Sequence, residues 1–216
     1  HKLTADEYDK IKKIEEKLKN IRDKRIKPFF DDKTQTDLNS YWIYSILHSS
    51  FILNDKKLFD QANEYFNNLK KILSKNVFHC YNKDRKEIDV FLEDYSYFCL
   101  LLVSMYEIKN DKESIKLCSE LMKYTWENFY DEENVILQKN IKTNNDLFVK
   151  PIDIIDNNIP NGNSIFLLVC NKLFNITGDT FWEEKIINLK KSFHSFLNNS
   201  FSQMFSYIKI IDICEQ

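Results

Sequence analysis

The chain has 216 residues, 43% of them apolar and 14% aromatic, with a formal net charge of −2. Two glycines and three prolines are too few for the tight turns of an all-β sandwich or barrel, so one mainly helical domain with a real core is expected. The charge balance leaves no basic footprint for nucleic acid, and no apolar run approaches the length of a membrane span.

Only Arg22, Arg25 and Arg85 are arginines among 31 basic residues, which reads as AT-rich coding bias rather than function. Cys80, Cys99, Cys118, Cys170 and Cys214 form no C-x-x-C pair, and their number is odd. A cytoplasmic or other reducing intracellular compartment is expected, with no membrane partner.

The chain opens on a capping box, Thr4 with Glu7, ahead of Tyr8, Ile11, Ile14, Leu18 and Ile21 on one helical face. Lys27-Pro28 stops that helix near Arg25, because the residue before proline is pushed out of the helical region. A polar cluster follows: Asp31, Asp32 and Lys33, with Thr36 and Asn39 beyond.

A weak repeat then sets in. Three apolar helices each run into a very short turn and an Asp able to cap the next helix: Asn54-Asp55, Asn110-Asp111 and Gly178-Asp179. Apolar spacing resumes after each turn at Leu58, Ala62, Phe66 and Leu69, then at Ile115, Cys118 and Met122 with Thr125. The third set is Trp182, Ile186, Leu189 and Phe193, with Thr180 and Glu183 as a second capping box. Phe51, Phe59, Phe66, Phe98 and Phe193 are expected in the core.

Between hairpins lie long segments, 74–92 and 130–162, holding β-like pieces at Val77-Phe78-His79-Cys80 and Val135-Ile136-Leu137. Short turns at one end and long loops at the other predict an all-α fold. It is a partial α/α toroid of repeated antiparallel helical hairpins, with short β-like pieces in the inter-hairpin loops. Residues 1–216 are expected as a single domain, with an entry and an exit helix.

Three polar clusters fall where inner helices begin: Asp31 to Asn39, Phe91-Leu92-Glu93-Asp94-Tyr95, and Asp156 to Ser164. The first resembles the motif R-x-x-P-x-x-D-D-K-x-x-T-x-W-N-G from Arg25 onward, with Leu38-Asn39-Ser40 at the Trp-Asn-Gly positions. Val90 to Tyr95 resembles G-F-L-E-D-Y, and Asp156 to Ser164 resembles D-G-A-x-P-S-G-N-S, followed by Ile176-Thr177-Gly178-Asp179 in place of L-T-G-D. Lys150 stands where an arginine is usual, and Ile152 where a lysine is.

Over roughly residues 22–205 the chain is similar to the YyaL-like, spermatogenesis-associated thioredoxin-domain family. That resemblance implies a thioredoxin-like domain followed by a six-hairpin α/α toroid, related to N-acylglucosamine 2-epimerases and six-hairpin glycosidases. This chain would be a later part of the toroid, with no thioredoxin domain of its own.

The candidate catalytic acids are Asp31, Asp32, Glu93 and Asp94. The candidate ligand-binding residues are Lys33, Asn39, Tyr95, Lys150, Asp156, Asn163 and Ser164. Paired carboxyls suit glycoside chemistry, in which one acid is held protonated and another ionised. Each also has a structural explanation. Asp31 and Asp32 suit loop ordering with Lys33, Glu93 and Asp94 suit a helix dipole, and Asn163 and Ser164 suit capping. Gly162 is expected to supply an unusual backbone conformation.

The histidines, His1, His48, His79 and His194, show no metal-ligand spacing, so neither a metal nor a cofactor is expected. Two readings stand: a toroid that binds or processes a small carbohydrate-type ligand, and a catalytically silent scaffold associating with the rest of a parent protein or with itself.

Overall fold

The computed structural model describes residues 3–82, 89–142 and 151–215, in two compact units, His1–Asp32 and Lys33–Gln216. The first unit is one helix, α1 (Ala5–Asp23). Its capping box forms as expected: the Glu7 carboxylate accepts from the Thr4 backbone N–H at 2.8 Å, and the Glu7 N–H donates to the Thr4 hydroxyl. The stripe from Tyr8 to Ile21 is exposed.

The second unit is the repeated hairpin. Helices α2 (Thr36–Leu53) and α3 (Lys56–Leu73) form the first pair, α4 (Leu92–Lys109) and α5 (Lys112–Phe129) the second. Helices α6 (Gly162–Thr177) and α7 (Thr180–Ser200) form the third, and a 3-10 turn (Phe201–Gln203) leads into α8 (Phe205–Glu215). The inner helices α2, α4 and α6 pack side by side, each outer helix packs on its own partner, and α8 packs on α6. This is the expected all-α partial toroid.

One device makes all three turns. The residue after each inner helix is left-handed, Asn54 (φ 50°), Asn110 (φ 56°) and Gly178 (φ 66°), and the Asp that follows caps the outer helix. Asn and Gly tolerate that conformation, and the Asp carboxylate accepts N–H groups the first turn would leave orphaned. Asp55 accepts from Lys57 and Leu58, Asp111 from Glu113 and Ser114, and Asp179 from Phe181. The capping box expected of Thr180 and Glu183 is replaced by Asp179, since the helix starts one residue earlier than that box requires.

Burial follows the repeat. Ala62, Phe66, Leu69, Cys118, Met122, Thr125, Trp182, Leu189 and Phe193 are all buried where the spacing put them. Helix α4 lies between α2 and α6 and is buried from Leu92 through Met105, Glu93 excepted, with serines at 96 and 104 inside. Each fully buried large side chain there, such as Phe98 or Leu101, contributes about 1.5–3 kcal/mol. Phe51, expected in the core, is 74% exposed instead, because it sits in the last turn of α2 where the chain leaves the bundle.

The β-like pieces form two small antiparallel ladders. Thr34–Gln35 (β1) pairs with Cys80–Tyr81 (β2), and Tyr130–Asp131 (β3) pairs with Ile136–Leu137 (β4). Both lie at the end of the bundle where inner helices begin. Cys80, Cys99, Cys118 and Cys170 are buried thiols, Cys214 is half-buried, and none of the five is in a disulfide.

Candidate functional site

The starts of α2, α4 and α6 meet around a cleft of about 330 Å³, lined by Asp37, His79, Phe91, Glu93, Lys139 and Asp153 together with the 155–161 loop. Backbone pairing builds it. The Thr36 hydroxyl donates to the Phe78 carbonyl at 2.6 Å and the Thr36 N–H to the His79 carbonyl at 2.9 Å, so the β1–β2 ladder delivers His79 beside the first turn of α2. The Leu92 N–H donates to the Lys139 carbonyl at 3.0 Å, and the Lys139 N–H donates to the Pro151 carbonyl at 2.8 Å. Those two bonds bring the segments carrying Lys139 and Asp153 against the start of α4.

Asp94 is fully buried. Its carboxylate accepts the Phe91 N–H at 2.9 Å and lies 3.1 Å from His79 Nδ1, so it caps α4 and holds the imidazole. The His79 ring is also gripped edge-on by Phe91, and its Nε2 stands 3.4 Å from the Gln35 amide nitrogen. Asp37, half-buried, accepts the Leu38 N–H at 2.7 Å. Burial, then the neighbouring Asp94 charge, pushes its carboxyl above the ordinary aspartate range.

Glu93 lines the cleft, which its neighbour Asp94 does not. Its Oε2 is buried with no hydrogen-bond partner among the described residues. Burial pushes its carboxyl up to about 7, against the opposing pull of its own backbone N–H and of Lys139, while Asp153 and Asp94 add to the shift. Gly162 presses on it from α6. Its φ is not left-handed, contrary to expectation; its role is space, since a Cβ there would meet Glu93 Cγ and Cδ at 3.3 Å.

The remaining sequence candidates are distributed as follows. Asp31 and Asp32 are exposed residues of the first unit, whereas the cleft is lined by second-unit residues, and Lys33 is exposed at the start of that unit. The Asn39 amide donates to the Gln35 carbonyl at 2.7 Å, within the first turn of α2. Tyr95 is buried against Tyr124 and Phe129 and faces a separate depression with Val77 and Ile141, where burial raises its hydroxyl pKa. Lys150 lies outside the described residues.

Asp156 is an organiser of the loop. It accepts from the Asn161 N–H and amide at 3.0 Å each and from the Ser206 N–H at 2.7 Å, tying the loop to the start of α8. The cap of α6 is Asn161, which accepts the Ser164 N–H at 2.9 Å, and not Asn163 or Ser164 as expected. The helix simply begins earlier, so Asn163 is free to bridge inward. Its amide donates to the carbonyls of Leu137 and Asp153, and its oxygen accepts the Leu137 N–H. Ser164 Oγ is buried with no partner among the described residues.

Sequence reasoning missed Asp37, His79, Lys139, Asp153 and Asn161. Asp37 stands beside Thr36 and carried a signal as a first-turn carboxylate; the other four lie on loops whose path only the fold reveals.

No protein-family model matches the sequence. No curated protein matches it either. Solved structures do match. A selenomethionine derivative of a family 76 glycoside hydrolase α-mannanase from Bacteroides thetaiotaomicron superimposes with a TM-score of 0.63 at 14% identity, over 84% of this chain and 52% of that one. An α-1,6-mannanase of Salegentibacter sp., in an inactive variant with two consecutive aspartates replaced and α-1,6-mannotetrose bound, gives 0.60 at 15% identity over 84% and 52%. A cellobiose 2-epimerase from Bacillus thermoamylovorans gives 0.57 at 13% identity over 74% and 44%. The chain therefore has the α/α-toroid fold of these carbohydrate-processing enzymes, and spans about half their length. The thioredoxin-linked family expected above is not among these neighbours.

Proposed function

We propose that the cleft at the start of the inner helices binds a carbohydrate-type ligand and that Glu93 exchanges a proton with it. The observation carrying this reading is the state of Glu93: a carboxyl lifted to about 7 by burial, with an unpartnered oxygen, in a cleft shared with two further carboxyls and a lysine. A group poised near neutral pH is suited to give a proton to a leaving oxygen and take one back. Asp37 and Asp153 stand in the same cleft as candidates for the second carboxyl.

The neighbours lend weight to the substrate class. One of them is described with mannotetrose bound after its consecutive aspartates were replaced, and this chain carries consecutive acids, Glu93 and Asp94, at the start of α4. The family reading from the sequence belongs here too: a toroid module of a YyaL-like, thioredoxin-linked protein working in a reducing compartment. Five mostly buried cysteines, none in a disulfide, support that compartment.

A second reading has its own support. Asp94, Asp156 and Asn163 are consumed by caps and loop ties, as a silent scaffold would consume them.

Thermal-shift and turnover screens against α-mannooligosaccharides, cellobiose and free aldoses decide between them, with wild type and Glu93→Gln side by side. The enzyme reading expects a ligand-dependent rise in Tm for both and turnover for wild type alone. Neither shift nor turnover across the panel leaves the scaffold.

A further inference from the structure

Asp37, His79 and Asp94 come from three separate elements, the first turn of α2, the β1–β2 ladder and the first turn of α4. One donor atom from each lies within 4.8 Å of the other two. We propose that this trio is a divalent transition-metal site, taking Zn2+ or Mn2+ at the inner wall of the cleft. This inference is independent of any carbohydrate chemistry at Glu93.

The geometry is that of a site one step from closure. Donors sharing an ion at bonds of about 2.1 Å stand about 3.0–3.4 Å apart along an edge of the coordination shell. His79 Nδ1 and Asp94 Oδ1 are already at 3.1 Å. Asp37 closes the third edge by a side-chain adjustment, since it is half-buried and held by one backbone N–H.

The electrostatics favour an ion. Two carboxyls are held together against their mutual repulsion, with Asp94 out of water altogether. One imidazole nitrogen with two carboxylate oxygens suits zinc and manganese, whereas calcium prefers oxygen alone. The open side is the cleft, which Asp37 and His79 both line, and where the buried Glu93 Oε2 lies without a partner. Water and a ligand hydroxyl therefore have access to the remaining coordination positions.

The support behind the ligands is also present. Gln35 stands 3.4 Å from His79 Nε2, and turning its amide offers the oxygen to an Nε2–H while Nδ1 takes the ion. The Phe91 N–H steadies the Asp94 carboxylate at 2.9 Å. On binding, the ion replaces the proton between Nδ1 and Asp94, and that proton leaves to solvent.

The test is a titration of the chelator-treated chain with Mn2+, read by the electron paramagnetic resonance of free Mn2+, followed by competition with Zn2+. Mn2+ avoids the half-buried Cys214 thiol, which would complicate direct zinc binding. One ion per chain is expected, displaced by Zn2+, with affinity lowered at least about tenfold in Asp37→Asn and in His79→Gln. Circular dichroism confirms that both variants fold, and Lys190→Gln, remote from the trio, keeps wild-type affinity. Absence of Mn2+ and Zn2+ binding, or equal affinity in wild type and both trio variants, overturns the proposal and leaves a His–Asp hydrogen bond that orders the loop.

Discussion

Gly162 on α6 and Glu93 on α4 stand so close that a methyl group on the glycine would sit 3.3 Å from the glutamate Cγ and Cδ. That contact ties the acid with the most displaced proton equilibrium in the cleft to a neighbouring inner helix. Gly162→Ala would meet Leu92 Cγ at 3.2 Å as well, and by shifting the Glu93 side chain a few tenths of an ångström is expected to loosen its burial. The expected result is a Glu93 carboxyl midpoint moved down from about 7 toward the ordinary glutamate value, followed by carbon NMR. Stability changes by no more than about 1 kcal/mol, because alanine's better helix propensity offsets the crowding.

Glu93 makes the fold sensitive to pH in a definite direction. Its carboxyl holds a proton to about 7 in the folded chain and to 4.5 when unfolded, so between those values the unfolded chain sheds the proton first. Glu93 thus costs nothing below 4.5, and its penalty grows as pH rises and is complete above 7, on the order of 3 kcal/mol. In Glu93→Gln that penalty is absent. Denaturant unfolding at pH 5 and pH 8 should show the variant gaining on wild type at the higher pH, and a constant difference would refute the buried-acid assignment.

Lys139 acts on the same equilibrium with opposite sign. Its ammonium, 3.9 Å from Asp153, favours ionised Glu93. Lys139→Met therefore raises the Glu93 midpoint above 7, which the same NMR titration reads.

The three hairpin turns are unequal. Asp111 accepts from Glu113 and Ser114 and also holds Lys70 of α3 at 3.1 Å, linking two hairpins; Asp179 makes a looser link of the same kind, 3.9 Å to Lys123 of α5, whereas Asp55 only caps. Asp111→Ala should cost about 2 kcal/mol and Asp55→Ala about 1 kcal/mol, measured by urea unfolding. Equal losses would mean the Lys70 link contributes nothing.

The hairpins were legible because each carries its own punctuation: a residue tolerant of left-handed backbone, an Asp cap, and apolar spacing that the burial of Trp182, Leu189 and Phe193 reproduces. The mouth was legible only in part. Glu93 stood out as a first-turn acid, yet nothing local distinguished it from Asp94, which the cap consumes. His79 and Lys139 arrive through two-residue ladders and single backbone bonds, too short to leave a periodic trace. Asn163 looked like a cap because caps and inward bridges use the same residue type; only the true start of α6 at Gly162 separates them.

The two ends of the bundle also differ in how far the chain must travel to build them. Each turn joins neighbours a few residues apart, while the mouth joins Asp37, His79, Glu93 and Asp153 across more than a hundred positions. Local contacts form early because little loop entropy opposes them. The hairpins therefore assemble first and the mouth closes last, so substitutions in the mouth should speed unfolding while leaving the folding rate nearly untouched. Residues of the mouth can change with little effect on how fast the scaffold folds, at the expense of how long it stays folded.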